Sequence, residues 1–112
     1  FETYNVGGHN EKQNIEIIKI IIKTLQEMLA EDDPRRALVS EDLITYVEDR
    51  KGHDRRYAIA PDKIKEEIGW EPETLFEEGI RRTIAWFFEN EDWMKNVTSG
   101  DYQKYYTDMY KM

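Results

Sequence analysis

The segment LITYVEDRKGHDRRYAI, residues 43–59, joins a β-favouring stretch to a turn rich in charge. Residues 43–47 are β-branched, aromatic or aliphatic, and this composition favours a strand. The following turn holds three arginines, whose planar guanidinium groups suit phosphate oxygens, and Gly52, which adopts positive φ without strain. The pattern therefore indicates a phosphorylated ligand held beside a strand. A surface interpretation, with exposed ion pairs worth at most about 1 kcal/mol, fits the residue types equally well.

The sequence on both sides alternates between strand and helix signals. Residues 3–6 form a short β-favouring run that Gly7 and Gly8 end. Residues 15–29 carry apolar side chains at helical spacing with Asn14 in the place of an N-cap, which predicts a helix between two strands. Two further helices are predicted, one over 61–69 and one over 72–90. Together these signals predict a mixed α/β fold of short strands and three or four helices, in one domain spanning residues 1–112.

Two segments carry weaker signals. Residues 31–36, EDDPRR, are charged and contain a proline that cannot continue a helix, so a solvated loop is expected. Residues 92–112 are too aromatic for ordinary disorder, and we expect this tail to fold back on the body of the domain. Its aromatic side chains are Trp93, Tyr102, Tyr105, Tyr106 and Tyr110.

Composition excludes several classes of function. The chain has 112 residues, a formal net charge of −8 and no cysteine, so thiolate metal sites are excluded and nonspecific nucleic-acid binding is disfavoured. No apolar run reaches the roughly 18 residues of a membrane span, and residues 1–4 do not resemble a signal peptide. We therefore expect a cytoplasmic protein without nucleic-acid or membrane partners.

The sequence also lacks an obvious catalytic centre. His9 and His53 have no defined third partner, so no metal site is expected. No glycine-rich phosphate motif follows a strand, and no Tyr-x-x-x-Lys pair accompanies a plausible serine or threonine. The chain alone is therefore expected to perform no chemistry. Because Phe1 begins strand-like sequence without an initiator methionine, we expect a piece of a longer protein.

Several segments of the chain form a recognisable set of motifs: 4–11 (YNVGGHNE), Asn14, 44–50 (ITYVEDR), 52–59 (GHDRRYAI), 63–64 (KI) and 69–70 (GW). Together these motifs resemble the C-terminal part of the dTDP-glucose 4,6-dehydratase family. The resemblance covers almost the whole chain, and the Gly-His-Asp turn is its most specific feature. A further pattern, FEEGIR at 76–81 with Thr83 and Trp86, is shared by extended short-chain dehydrogenases acting on nucleotide sugars and identifies only that superfamily.

The resemblance implies a longer parent enzyme with an NAD-binding Rossmann domain and a smaller C-terminal domain that binds the nucleotide sugar. In such enzymes NAD takes a hydride from C4 of the sugar, water leaves across C5 and C6, and the hydride returns to C6. The product is dTDP-4-dehydro-6-deoxyglucose, a precursor in deoxysugar biosynthesis of the dTDP-rhamnose type. The resemblance also implies a homodimer formed through the Rossmann domain.

Substrate contacts are the only site residues that the resemblance implies in this chain, since the family's catalytic groups lie upstream. The family's substrate-binding asparagine matches Asn14, and a tyrosine near the family's terminus matches Tyr110. The chain departs from the family at Lys51, where proline is usual, and a lysine there loosens the turn. The family's Asp-Arg-x-Gly-His turn matches Asp49, Arg50, Gly52 and His53.

Two alternatives remain at this stage. The chain could be the substrate domain of another nucleotide-sugar dehydratase or epimerase, because the base is read partly outside this segment. It could also be a free-standing interaction domain that binds a partner protein through its aromatic tail and isoleucine-rich helix, with the arginine turn merely solvated.

Overall fold

A computed structural model describes residues 1–101 and 103–105, which form helices joined by extended segments. The chain divides into two compact units, Phe1–Gly79 and Ile80–Met112. The helices that lie wholly within the described residues are α1 (Asn14–Met28), α2 (Pro34–Leu38), a 3-10 helix (Glu41–Leu43), α3 (Asp62–Ile68), α4 (Phe76–Glu89) and α5 (Glu91–Thr98). Residues 100, 101 and 103–105 are helical as well.

Helix α1 is the longest element and confirms the helix predicted over 15–29. Its apolar spacing buries Ile22, and Leu29 at its C-terminal end is buried as well. The buried hydroxyl of Thr24 donates to the carbonyl of Ile20 at 2.7 Å, so this polar group is satisfied within the helix. Burial of Ile22 and Leu29, which share one face, stabilises the helix more than its intrinsic propensity does.

The predicted N-cap at Asn14 is wrong, because Asn14 is the first helical residue and Gln13 is the cap. The carboxylate of Glu16 accepts a hydrogen bond from the backbone N–H of Gln13 at 2.7 Å. Glu16 thus completes the backbone half of a capping box and places negative charge at the positive end of the helix.

The connector predicted as a loop instead contains the short helix α2. Pro34 occupies its first turn, where a fixed φ and a missing N–H suit the start of a helix. Asp33 caps it, since one carboxylate oxygen accepts from the backbone N–H of Arg35 at 2.9 Å. Pro34 thus starts a helix here rather than only ending the previous one, because Asp33 directly before it supplies the cap.

The two predicted strands are not formed within the described part of the chain. Residues 3–6 have no ladder partner there, and residues 41–43 turn into a 3-10 helix before Ile44 becomes extended. Tyr46 and Val47 are 83% and 84% exposed, so neither face of this extended segment is covered. β-branched and aromatic side chains favour a strand because they pack well on a half-buried pleated sheet. Among the described residues, no neighbouring strand is present to form such a sheet with this segment. The predicted mixed α/β domain is therefore helical over the residues described.

Helix α3 holds the N-terminal segment in place. The phenol of Tyr4 donates to Glu67 at 2.9 Å, and Lys63 donates to the carboxylate of Glu2 at 2.6 Å. Gly69 ends the helix with a φ of +76° while its N–H donates to the carbonyl of Lys65, as the glycine stop signal predicts. The helix predicted over 61–69 is thus confirmed with slightly shorter bounds.

The second unit contains most of α4, whose predicted range began earlier, and α5, which lies in the predicted tail. Trp93 of α5 packs edge to face on Trp86 of α4 with ring centroids 5.0 Å apart. The amide of Asn90, between the helices, donates to the carbonyl of Trp86 at 2.8 Å. The tail residues Tyr102, Tyr106 and Tyr110 lie outside the described residues.

None of the described helices is both long and apolar enough to cross a lipid bilayer.

Candidate functional site

A cleft of about 1090 Å³ in the first unit lies between the start of α1 and the charged turn. Both the segment before α1 and residues 53–57 contribute to its walls, so the folded chain brings together stretches some 40 residues apart. The lining residues are Asn10, Glu11, Lys12, Gln13, Asn14, Glu16, Asp49, His53, Asp54, Arg55, Arg56 and Tyr57.

The first wall of the cleft is the N-terminal end of α1. Its first backbone N–H groups have no partner within the helix and give this end a partial positive charge, which favours anions. The side chain of Asn14 lines the cleft and makes no hydrogen bond to the residues described. Asn14 therefore combines a free amide with a helix end suited to negative charge.

The second wall follows a tight turn over residues 50–53. The N–H of His53 donates to the carbonyl of Arg50 at 3.4 Å, and Gly52 at the third position has a φ of +73°. Since Lys51 is not among the residues with positive φ, this is the pattern of a type II turn. Glycine is the residue that adopts this conformation without strain.

Asp49 organises this turn through one carboxylate oxygen. Its Oδ1 accepts the backbone N–H of Arg50 at 2.8 Å and lies 2.7 Å from Nδ1 of His53. The hydrogen bond to His53 is the main cause that holds the pKa of the Asp49 carboxyl below its usual range; desolvation opposes it in part, and the Arg50 N–H lowers the pKa further. Because Nδ1 faces Asp49, the Nε2 atom of His53 is left for a ligand.

Two further cations of the cleft are already paired. Arg56 forms an ion pair with Glu11, and its Nε donates to that carboxylate at 3.0 Å. Lys12 lies 3.0 Å from the carboxylate of Glu77, and this contact lowers the pKa of Glu77. Arg55 lines the cleft without an ion pair or hydrogen bond to any described residue.

The predicted site residues are only partly brought together. Asn14, Asp49 and His53 line one cleft, whereas Arg50 and Gly52 belong to the adjoining turn and are not part of the lining described. Tyr110 lies outside the described residues.

The sequence did not predict Glu11 and Lys12 as lining residues, and it indicated Arg56 only as one of three arginines suited to phosphate. The charges of Glu11 and Lys12 directly before a predicted helix were the available signal, but Arg56 lies 45 residues from Glu11 and nothing local reveals their pairing. Within the described ranges, no group of three or more histidine or acidic side chains is arranged to hold a metal ion.

Comparisons with known proteins place the chain in one family. Residues 1–83 match the family described as GDP-mannose 4,6 dehydratase. The chain is 48% identical over 110 residues to a dTDP-glucose 4,6-dehydratase from Shigella flexneri, which covers 98% of this chain and 29% of that protein. It is 50% identical over 102 residues to a dTDP-glucose 4,6-dehydratase from Neisseria meningitidis serogroup B, covering 91% of this chain and 28% of the relative.

A solved structure gives the same result in three dimensions. The crystal structure of dTDP-glucose 4,6-dehydratase from Bacillus anthracis in complex with NAD superposes with a TM-score of 0.67 at 41% identity. The match covers 85% of this chain and 26% of the crystallised one. The chain thus spans less than a third of the length of the relatives it matches.

Proposed function

Because this chain belongs to the GDP-mannose 4,6 dehydratase family, we propose that it is the C-terminal, substrate-binding part of a dTDP-glucose 4,6-dehydratase. The parent enzyme converts dTDP-glucose to dTDP-4-dehydro-6-deoxyglucose and water. The observation that carries this proposal is the cleft in which His53 and its Asp49 partner share a wall with the residues at the start of α1. Binding, rather than bond cleavage, is the role that this chain performs.

The small core supports a role as part of a larger enzyme. Ile22, Leu29 and Ile84 are the hydrophobic side chains that are buried in the described part of the chain. Large apolar side chains such as Leu43, Tyr46 and Val47 are more than half exposed. A compact domain of this size buries more of its apolar surface, so these side chains have the exposure of a surface that the rest of an enzyme covers.

The site chemistry suits a nucleoside diphosphate sugar. Arg50 supplies a guanidinium beside the cleft, and a charge-assisted contact between this cation and a phosphate is worth roughly 1.5–3 kcal/mol. The start of α1 offers N–H groups to an anion, and the Asn14 amide offers both a donor and an acceptor to sugar or base. The Nε2 atom of His53 offers a further contact to the substrate. Tyr110, near the C-terminal end, is the last proposed substrate contact.

NAD does not fit the described residues of this chain. A dinucleotide site requires a glycine-rich turn that leads directly from a strand into a helix N-terminus. Gly7 and Gly8 are the nearest candidates, but no strand precedes them and α1 begins only at Asn14. The proposal therefore assigns NAD to the remainder of the parent enzyme, where its chemistry is hydride transfer from and back to the sugar.

The resemblance further implies a homodimer formed through the other domain and a cytoplasmic location. Both remain predictions, because the chain presents no described contact that bears on either.

A substrate survey of the full-length enzyme tests the proposed function. The purified enzyme is incubated with dTDP-glucose and, separately, with UDP-, GDP- and CDP-hexoses, and loss of one water is followed by mass spectrometry. We expect dehydration of dTDP-glucose and none by residues 1–112 alone. Dehydration of a different nucleotide sugar instead would reassign the substrate, and failure with all four would contradict the proposed function.

A further inference from the structure

Residues 45–60 hold four of the proposed substrate contacts, Asp49, Arg50, Gly52 and His53, but have little structure of their own. Every residue in this segment is exposed, and none belongs to a helix or a strand. An exposed segment of this kind samples many conformations unless specific contacts restrain it, and ordering it has an entropic cost. The contacts that restrain this segment therefore determine whether the cleft has a defined shape.

Most hydrogen bonds of this segment are local. The bonds that involve Asp49, Arg50 and His53 all begin and end inside the turn. Across the described residues, the pairing of Arg56 with Glu11 is the one hydrogen-bonded connection from 45–60 to another part of the chain. Two nitrogen atoms of the Arg56 guanidinium, Nε and one terminal nitrogen, donate to the same carboxylate oxygen of Glu11.

The position of this pair links the two walls of the cleft. Glu11 lies two residues before the Gln13 cap of α1, and Arg56 lies three residues after His53. A second contact supports the same alignment, because a Cβ placed on Gly7 would come within 3.2 Å of Ile59. The segments around 7–11 and 56–59 thus lie side by side, with the ion pair nearest the site.

We propose that Glu11 and Arg56 are positioning residues for nucleotide-sugar binding. Their ion pair holds the Asp49–His53 turn at a fixed distance from Asn14 and the start of α1, so that one ligand contacts both walls. This inference rests on the proposed function for its ligand. Neither side chain needs to touch the substrate, and the pair acts through the residues on either side of it.

If the pair served only global stability, its loss would lower the melting temperature of the enzyme, and the exposure of the pair argues against that role. The side chains of Arg56 and Glu11 are 72% and 48% exposed, and ion pairs this exposed contribute little to global stability. Loss of the pair should therefore leave the melting temperature of the enzyme unchanged while the segment becomes more mobile. A binding group that moves away from its ligand loses its hydrogen bond, because such bonds weaken steeply with distance and angle.

Charge exchange in the full-length enzyme tests the proposal. The variants are Glu11→Arg, Arg56→Glu and the double exchange, and the readouts are KM and kcat for dTDP-glucose and the melting temperature. We expect each single variant to raise KM about tenfold with kcat within about twofold, the pattern of lost ground-state binding, and the double exchange to restore most of the loss. A matched control exchanges Lys65 and Glu71, which form an exposed ion pair of 2.7 Å, and should leave KM unchanged.

Two outcomes would overturn the proposal. If KM stays unchanged in both single variants, the pair does not position the site. If Arg56→Glu raises KM but Glu11→Arg does not, Arg56 contacts the ligand directly and is not a positioning residue.

Hydrogen exchange separates this proposal from the proposed function. If the wild-type enzyme does not convert dTDP-glucose, the function fails, but amide exchange over residues 45–60 still reports the restraint. Exchange there should increase in both single variants and return in the double exchange. Equal exchange in all variants would contradict the positioning role whatever the substrate.

Discussion

The Nδ1 atom of His53 lies 2.7 Å from Oδ1 of Asp49, and the same oxygen accepts the backbone N–H of Arg50. One carboxylate therefore fixes the imidazole and the turn that carries the proposed diphosphate-binding arginine. The bond also selects which imidazole nitrogen faces the cleft, since a neutral ring that donates from Nδ1 presents Nε2 as an acceptor. Asp49 thus orients His53 rather than having to contact the ligand itself.

Replacement of Asp49 by alanine tests this orienting role. Without the carboxylate, the imidazole ring of His53 rotates freely and its proton can sit on either nitrogen. We therefore expect KM for dTDP-glucose to rise about tenfold, which corresponds to about 1.4 kcal/mol of binding free energy. Steady-state kinetics of the full-length Asp49→Ala enzyme provides the measurement. Glu48→Gln, on the neighbouring exposed residue, is the control, and an equal effect of both substitutions would contradict a specific role for Asp49.

The lowered pKa of Asp49 gives a pH dependence with a definite sign. The hydrogen bond from His53 favours the ionised carboxylate in the folded state, so its stabilising contribution is present above the ordinary aspartate pKa of about 4 and is lost as pH falls through the lowered value. Carbon-detected NMR titration of Asp49 should show a midpoint below the ordinary value that rises in His53→Ala. His9→Ala should not move it, and a midpoint insensitive to His53 would refute this cause.

Substitution of Gly52 should disturb the turn through the backbone alone. Its φ is +73°, and a Cβ built there meets no atom within 4 Å, so alanine adds strain without a steric clash. We expect Gly52→Ala to weaken dTDP binding by about 1 kcal/mol, because a left-handed conformation costs a residue with a Cβ about 1–2 kcal/mol. Gly52→Asn should cost less, since asparagine tolerates this region. Calorimetric titration with dTDP checks both, and identical affinities across the three enzymes would show that the ligand does not require this turn.

Proline at position 51 should strengthen the same turn. Lys51 occupies the second position of a type II turn, where proline fits, and its N–H makes no hydrogen bond to a described residue. Lys51→Pro should therefore stabilise the turn by about 0.4–1 kcal/mol by restricting the unbound segment. Slower amide exchange at residues 50–53 and slightly tighter dTDP binding would confirm it, whereas faster exchange would show that the turn needs a different backbone geometry.

The helices could be predicted because their signals are local. The spacing of Ile18, Ile21 and Ile22 predicts α1, and Gly69 with its positive φ ends α3 where the sequence places the stop. The N-cap was misplaced by one residue because Asn14 has the stronger cap preference, while the hydrogen bond from Gln13 to Glu16 decides the actual boundary.

The strands and the full cleft could not be predicted for the opposite reason. Residues 43–47 have strand composition, but a strand also needs a partner, and composition does not report whether one is present. Residue types together with the family resemblance predict a ligand site at the turn around His53. Its connection to α1 depends on Arg56 and Glu11, two ordinary surface residues whose pairing only the folded chain reveals.

The most direct test of the substrate-binding role is the affinity of the full-length enzyme for dTDP with and without the Arg50 side chain. Arg50→Ala should weaken binding tenfold or more, since a charge-assisted contact of roughly 1.5–3 kcal/mol is lost. Lys51→Ala, which removes a neighbouring cation from the same turn, should bind dTDP like the wild type. Equal affinities of Arg50→Ala and wild-type enzyme by isothermal titration calorimetry would contradict the assignment of this turn to the nucleotide diphosphate.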